Sequence, residues 1–196
     1  FVVRDELFQF MKNQNIFYKS IKISDFIKKK DSETISFPLM SLPKLFNIET
    51  NNLMSSLPYL FPRKTKIDQW KKKIDKKKFN IGIAWQSIKT PAGIEKTIPY
   101  QYYLKLLDMP NVKLTSLHVP SQLDIEINFL DSSRIIFFEN LDIENKFEDT
   151  SALIASLDLI ITIDTSIAHL SAAMKKNTWI LLPYNSDWRW GLKTEK

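Results

Sequence analysis

Residues Leu159 to Tyr184 constrain this chain more than any other stretch, because LIITIDTSIAHLSAAMKKNTWILLPY reads as strand, polar turn, helix and strand in succession. Leu159 to Ile163 is a short, continuous apolar run rich in β-branched residues, the pattern of a strand covered on both faces of a parallel sheet. It stops at Asp164. Thr165 and Ser166 can cap the following helix with their hydroxyls, which leaves free backbone N–H groups and the positive end of a helix dipole at the carboxyl end of the strand. Such a helix start binds anions, and in an open α/β sheet the crevice beyond the strand ends is where ligands lie. A phosphate-bearing ligand is the first expectation.

Composition removes several classes. The 196 residues are 44% apolar and 12% aromatic, enough to bury a core in one large or two small units. Cysteine is absent, so disulfides and thiolate metal sites are excluded, and two histidines far apart in sequence do not suit a dedicated zinc centre. No apolar run approaches the ~20 residues of a membrane span, and Phe1 to Phe10 lacks the plan of a signal peptide, so the expected location is cytoplasmic. The net charge of +6 resides largely in lysines at 28–30 and 71–78, which flank apolar residues that a helix would turn inward. That pattern describes a solvated helix face better than a nucleic-acid surface, and no nucleic-acid partner is expected. The first residue is not Met and the chain stops at GLKTEK just after an aromatic cluster; both ends look cut.

The organisation changes near residue 66. Before it, Pro38, Pro43, Pro58 and Pro62 interrupt the sequence, with a helix expected over Val3 to Lys12 and a short strand around Ile35. Ile67, Trp70 and Ile74 follow at helical spacing, so Lys66 to Lys77 is expected to be an amphipathic helix joining two units. Regular alternation begins after it. Strands are expected at Ile81 to Trp85, Val112 to Leu117, Arg134 to Phe138, Leu159 to Ile163 and Trp179 to Leu182. Helices are expected at Pro99 to Leu107, about Asp149 to Ser156, and from Ser166. Strands alternating with helices predict an α/β fold with a Rossmann-like, doubly wound parallel sheet. The spaced glycines of a dinucleotide fingerprint are missing, so a mononucleotide or sugar nucleotide suits this unit better than NAD.

Six segments in order, PLMSLPKLF (38–46), LPYLFP (57–62), IGIAWQ (81–86), KTIP (96–99), LDLIITIDTSIAHLSAA (157–173) and WILLPYNSDWRW (179–190), resemble bacterial glycosyltransferase family nine, the ADP-heptose heptosyltransferase-like enzymes. The resemblance is to the branch in which this catalytic region follows tetratricopeptide repeats, and it covers most of the chain. It implies a GT-B architecture: two Rossmann-like domains across a cleft, with the acceptor on the first and the nucleotide-sugar donor on the second. The implied division is 1–66 as the remainder of the N-terminal acceptor-side domain, 67–78 as a linker helix and 79–196 as the C-terminal nucleotide-sugar-binding domain. The resemblance places the catalytic base, an aspartate near the start of the first domain, outside this chain. A repeat domain for protein contacts is expected upstream.

Sugar transfer from a nucleoside diphosphate needs an acceptor oxygen that loses its proton as it attacks, and a diphosphate whose growing charge is stabilised. No paired carboxylates of DxD type stand at a strand end, so helix N-terminal amides and a lysine are expected in place of a metal. Thr165 and Ser166 are the expected diphosphate contacts, with Asp164 shaping the turn; the alternative for all three is an N-cap that only starts a helix. His169, one helical turn after Thr165, can point at the same mouth, either organising the turn or assisting the phosphate. Lys96 matches the lysine that reaches the donor phosphates in the family, the alternative being a solvent-facing lysine. Trp85 and Gln86 follow the first strand; Trp85 is read as core and Gln86 as lying at the cleft floor. Asp187 and Arg189, among aromatics after the last strand, are placed against the nucleobase or in cleft closure, with interdomain packing as the alternative.

The expected cargo is a nucleoside-diphosphate sugar as substrate, without a further cofactor or metal, and a glycan, lipid-linked or protein acceptor. Binding without turnover, and a sugar-nucleotide 2-epimerase of the same fold, are the competing readings. After the Ser166 helix, where relatives carry glycine, this chain has Lys175, Lys176 and Asn177. A left-handed backbone at Lys175 would cost roughly 1 kcal/mol, unless Asn177 takes that position.

Overall fold

A computed structural model describes residues 2–14, 19–29, 35–49, 57–87, 91–118, 135–142, 146–187 and 190. Its elements run β1 (Val2–Val3), α1 (Phe8–Lys12), β2 (Ile21–Lys22), α2 (Ile23–Lys29), α3 (Leu42–Leu45) and α4 (Lys64–Lys71) in the first part of the chain. The alternating part follows with β3 (Phe79–Ala84), α5 (Pro91–Lys96), α6 (Gln101–Leu104), β4 (Val112–Ser116), β5 (Ile135–Ile136), α7 (Glu148–Ser156), β6 (Leu159–Ile163), α8 (Ser166–Ala173) and β7 (Thr178–Leu181).

Five of these strands form one parallel sheet in the order β5-β4-β3-β6-β7. The alternation of side chains along β3 sorts its residues onto two faces. Ile81, Ile83 and Trp85 join Leu114, Ile135, Ile161 and Tyr103 in one apolar cluster, while Ala84 joins Ile160, Leu153, Ile154, Leu157 and Leu170 in the other. Both faces are therefore covered, which explains why β6 reads as an unbroken apolar run. Gly82 lies where a Cβ would come within 2.8 Å of the side chains of Ile160 and Leu157, so its lack of a side chain lets that face pack closely.

The expected strands from Ile81 onward are present within a residue or two of their predicted ends, so far as they fall on described residues; Arg134 lies outside them. The departures lie in the helices and in the first part of the chain. The predicted helix at Val3 to Lys12 divides into β1, a 3-10 turn at Asp5–Leu7 and the short α1, because Val3 pairs in parallel with Lys22. Around Ile35 the backbone is irregular and Ile35 is 82% exposed, for want of a strand beside it among the described residues. The helix at Pro99 to Leu107 is shortened to α6 plus a 3-10 turn, and α5 ahead of it was not foreseen.

Helix α4 ends at Lys71 rather than Lys77. The Asp75 carboxylate accepts the Lys77 amide at 2.9 Å, a local turn that competes with helix, and three lysines in succession follow. Lysines 71–73 and 76–78 are exposed around buried Ile74, as a solvated face requires. Trp70 packs edge-on to Phe138 at 4.8 Å and donates its indole N–H to Asp149 at 3.0 Å, which fastens α4 onto α7.

The first part of the chain is held to this layer by polar staples. Gln14 accepts the Phe61 amide at 2.7 Å and donates to the Phe61 carbonyl at 3.1 Å, while Asn13 and Arg63 both bond Glu148. The amides of Tyr59 and Leu60 donate to the Ala173 carbonyl at the end of α8.

Helix α8 closes with a Schellman arrangement: the Lys176 amide reaches the Ser171 carbonyl at 3.0 Å and the Lys175 amide reaches Ala172 at 2.9 Å. The left-handed position falls on Lys175, with φ of 56°, and not on Asn177. Replacing Lys175 by Gly removes the Cβ strain, and urea denaturation is expected to show a gain of about 1 kcal/mol. A loss would mean that the lysine side chain contributes more than its backbone costs.

Candidate functional site

Counting from β3 as the first strand of the sheet, the strand order is 3-2-1-4-5, and the direction of winding reverses between β3 and β6. Their register pairs Ala84 with Thr162, so the segments that leave the two strands, 85–87 and 164–166, emerge side by side. This is the topological switch point at which open α/β sheets bind ligands.

Asp164 is the centre of the site. Its carboxylate is buried, with a side chain 4% exposed, and Oδ2 accepts from Lys96 Nζ at 2.7 Å. His169 Nε2 stands 4.0 Å from Oδ1, and its ring stacks on Trp190 with centroids 5.0 Å apart. Lys96 reaches this position because it ends α5 and the next residues are tied to the β3 loop. Thr97 Oγ1 accepts the Ser87 amide at 3.2 Å, and the Ile98 amide donates to the Trp85 carbonyl at 2.9 Å.

Thr165 is the N-cap residue of α8, with extended φ and ψ, and its carbonyl accepts the Ala168 amide at 3.1 Å. Its hydroxyl does not cap the helix as the sequence led one to expect. Thr165 Oγ1 is buried and has no hydrogen-bond partner among the described residues. Ser166, the first residue of α8, is exposed, and the amides of a helix's first turn have no acceptor inside the helix. The structure thus gathers Lys96, Asp164, Thr165, Ser166 and His169 at one mouth, with half-buried Gln86 on the adjoining loop. Asp187 lies in the segment after β7, where its carbonyl accepts the amide of Trp190, the residue whose ring stacks on His169, at 3.1 Å. Arg189 lies outside the described residues. Trp85 is 1% exposed and belongs to the core.

Sequence reasoning missed His118. Its Nε2 accepts the amides of Trp85 at 2.9 Å and Gln86 at 3.2 Å, and its ring stands edge-on to the Trp85 indole at 4.4 Å. Burial pulls its pKa down to about 4, which keeps the imidazole neutral and its Nε2 lone pair free to accept. The only sequence signal was a histidine immediately after a predicted strand, Val112 to Leu117.

A groove of about 620 Å³ lies along α4, lined by Lys66, Gln69, Trp70, Lys72, Lys73, Asn140 and Asp149. It shares no residue with the strand-end cluster, and two of its three lysines are engaged: Lys66 with Asp149 at 2.9 Å, Lys73 over the Trp70 ring at 4.2 Å. The chemistry favours the strand ends, where a cation, first-turn amides and an unpartnered hydroxyl meet.

The fold is an α/β, Rossmann-like parallel arrangement of the GT-B type. It matches the crystal structure of a glycosyl transferase family 9 protein from Veillonella parvula with a TM-score of 0.50 and 14% identity, over 85% of this chain and 54% of that one. The chain therefore spans about half the length of that protein, and the likeness is one of fold. No family model matches the sequence, and no curated protein matches it.

Two outcomes are expected from this geometry. His118 is neutral in the folded state and titrates near 6.5 when unfolded, so the unfolded chain binds the extra proton between those values. Stability held above pH 6.5 is lost as pH falls towards about 4, by on the order of 3 kcal/mol. Denaturant midpoints from pH 7.5 to 4.5 should show that loss in the native chain and not in His118→Asn. Lys96→Met strands the buried Asp164 carboxylate and is expected to cost about 2 kcal/mol, below the range for fully buried pairs because Lys96 is 30% exposed. Adding Asp164→Asn should restore most of it, and additivity of the two would disprove the coupling.

Proposed function

We propose that this chain is the nucleotide-sugar-binding part of a glycosyltransferase, which moves a sugar from a nucleoside-diphosphate donor to an acceptor with inversion and with protein groups, not a metal, at the diphosphate. The observation that carries this reading is the meeting of Lys96, the α8 N-terminus and the unpartnered Thr165 hydroxyl at the switch point of the sheet. The fold shared with a glycosyl transferase family 9 protein supports it. On this reading residues 79–196 hold the donor, 1–66 belong to the acceptor side and 67–78 join them in a cytoplasmic protein.

The acceptor oxygen, losing its proton to a base outside the residues assigned here, attacks the anomeric carbon on the face opposite the diphosphate. The bond from that carbon to the diphosphate oxygen breaks, and negative charge grows on the leaving group. Lys96, exchanging Asp164 for phosphate oxygens, meets that charge together with the first-turn amides of α8. Thr165 donates its hydroxyl, and Ser166 adds a second. His169, half-exposed beside Asp164, contributes an imidazole N–H to the leaving phosphate. Gln86 lines the floor, and Asp187 and Arg189 serve the nucleobase side. The acceptor is a glycan, a lipid-linked sugar or a protein side chain.

Thr165→Val tests the site cleanly, because the hydroxyl it removes has no partner to lose among the described residues. Calorimetric titration with UDP, GDP and ADP is expected to show binding of at least one, weakened roughly five-fold in Thr165→Val. The unfolding midpoint should be unchanged or raised. No binding of any of the three would refute the reading; binding without donor turnover in the presence of acceptors would reduce it to a nucleotide-holding module.

A further inference from the structure

The last ladder bond between β3 and β4 runs from the Leu117 amide to the Ile83 carbonyl at 2.9 Å. Beyond it the chain leaves β3 as Trp85 and Gln86, whose amides have passed the end of the paired strand and still need acceptors. The His118 imidazole takes both, with Nε2 at 2.9 Å from the Trp85 nitrogen and 3.2 Å from that of Gln86. One side-chain nitrogen thus substitutes for the strand carbonyl that is missing. The ring is fixed in turn: its edge-on contact with the Trp85 indole, at 80° between planes, sets its tilt, and its own amide donates to Ser116 Oγ at 3.2 Å.

The same loop carries the tether of Lys96. The Trp85 carbonyl accepts the Ile98 amide, and the Ser87 amide donates to Thr97 Oγ1, which itself donates to the Gly93 carbonyl at 3.0 Å. Lys96 precedes these two anchored residues directly, and its ammonium meets Asp164 on the neighbouring strand end. Hydrogen bonds alternating with short stretches of backbone therefore link a buried imidazole to the ammonium that meets Asp164.

We propose that His118 is a positioning residue: by accepting the amides of Trp85 and Gln86 it fixes the loop to which Lys96 is tethered, and so sets the contact between Lys96 and Asp164. Burial keeps the imidazole neutral, as this role requires. The consequence for ligand affinity rests on the reading of the crevice as a diphosphate site; the consequence for the Lys96–Asp164 contact does not.

The experiment compares the native chain with His118→Asn and with Thr97→Val, which cuts the tether at its other end. Amide hydrogen exchange at Trp85, Gln86, Ser87 and Ile98 and the carboxyl carbon resonance of Asp164 are read by NMR, alongside titration with UDP, GDP and ADP. Exchange at the loop amides is expected to quicken roughly ten-fold or more in His118→Asn, from the loss of their shared acceptor, and the Asp164 resonance to move in both variants. The unfolding midpoint of Thr97→Val should stay close to that of the native chain. An Asp164 resonance unmoved in a folded variant overturns the proposal, as does unchanged exchange at Trp85 and Gln86. If His118→Asn does not fold, the Asp164 resonance in Thr97→Val decides alone. Should the native chain bind none of the three nucleotides while the Asp164 resonance still moves, the functional reading fails and the positioning role stands. If it binds one, affinity for that nucleotide is expected to fall roughly ten-fold in both variants, and an unchanged affinity overturns the functional part of the role.

Discussion

The parallel pairing of β3 with β6 is the constraint on which the rest depends. Those two strands are far apart in sequence, and the chain reaches β6 only after building β4 and β5 on the other side of β3. The segments leaving β3 and β6 therefore emerge at the point where the winding of the sheet reverses, the position at which open α/β sheets bind ligands. Asp164 is buried because it is the first residue past a strand covered on both faces. Its charge is tolerable there because α5 returns Lys96 to within 2.7 Å. If β6 were paired elsewhere, neither the buried carboxylate nor its cation would have a place.

The outer layer follows from what the sheet leaves uncovered. Leu153 and Ile154 of α7 lie in one core cluster with Ala84 and Ile160 of the sheet and with Trp70, Ile74 and Phe10 from the first part of the chain. At the start of α7 the Asp142 carboxylate accepts the amides of Phe147, Asp149 and Thr150 and the Thr150 hydroxyl. Burial pushes the Asp142 carboxyl up from its ordinary range while those bonds pull it back down. At the other end Lys176 reaches the carbonyls of Ala155 and Leu157, a cation at the negative pole of the helix. The apolar side chains at Ile35, Phe37, Met40 and Phe46 remain more than half exposed, in contrast to the closed packing around α7.

On the proposed reading, the Lys96–Asp164 pair also describes how an anion site can exist in a free protein. A buried cation with no counter-charge is costly, and so is a buried carboxylate. Holding each against the other lets both stay at the mouth until phosphate oxygens compete for the ammonium. The Thr165 hydroxyl has no such placeholder among the described residues, which makes it the more sensitive reporter on this reading.

Local pattern was enough for the alternating half. The apolar runs at Ile81, Val112 and Leu159, punctuated by Asp164 and the Thr-Ser that follows, carry their strand and helix assignments in nearest-neighbour chemistry, and the strand-end position of Asp164, Thr165 and Ser166 follows from it. The first part of the chain was less legible, since β1 exists only because Val2 and Val3 meet Ile21 and Lys22, a pairing that no period within Val3 to Lys12 records. The partners within the site were likewise decided by tertiary structure. That Lys96 faces Asp164 across 68 positions, and that His118 serves the amides of Trp85 and Gln86, depends on which strand lies beside which. Sequence by itself determined the strands from Ile81 onward and the helix after Asp164, because those elements are set by side-chain period over a few residues. Only the folded chain decided strand order, and with it which charges share a crevice, because contacts between distant residues are fixed by packing of the whole sheet and by nothing written locally.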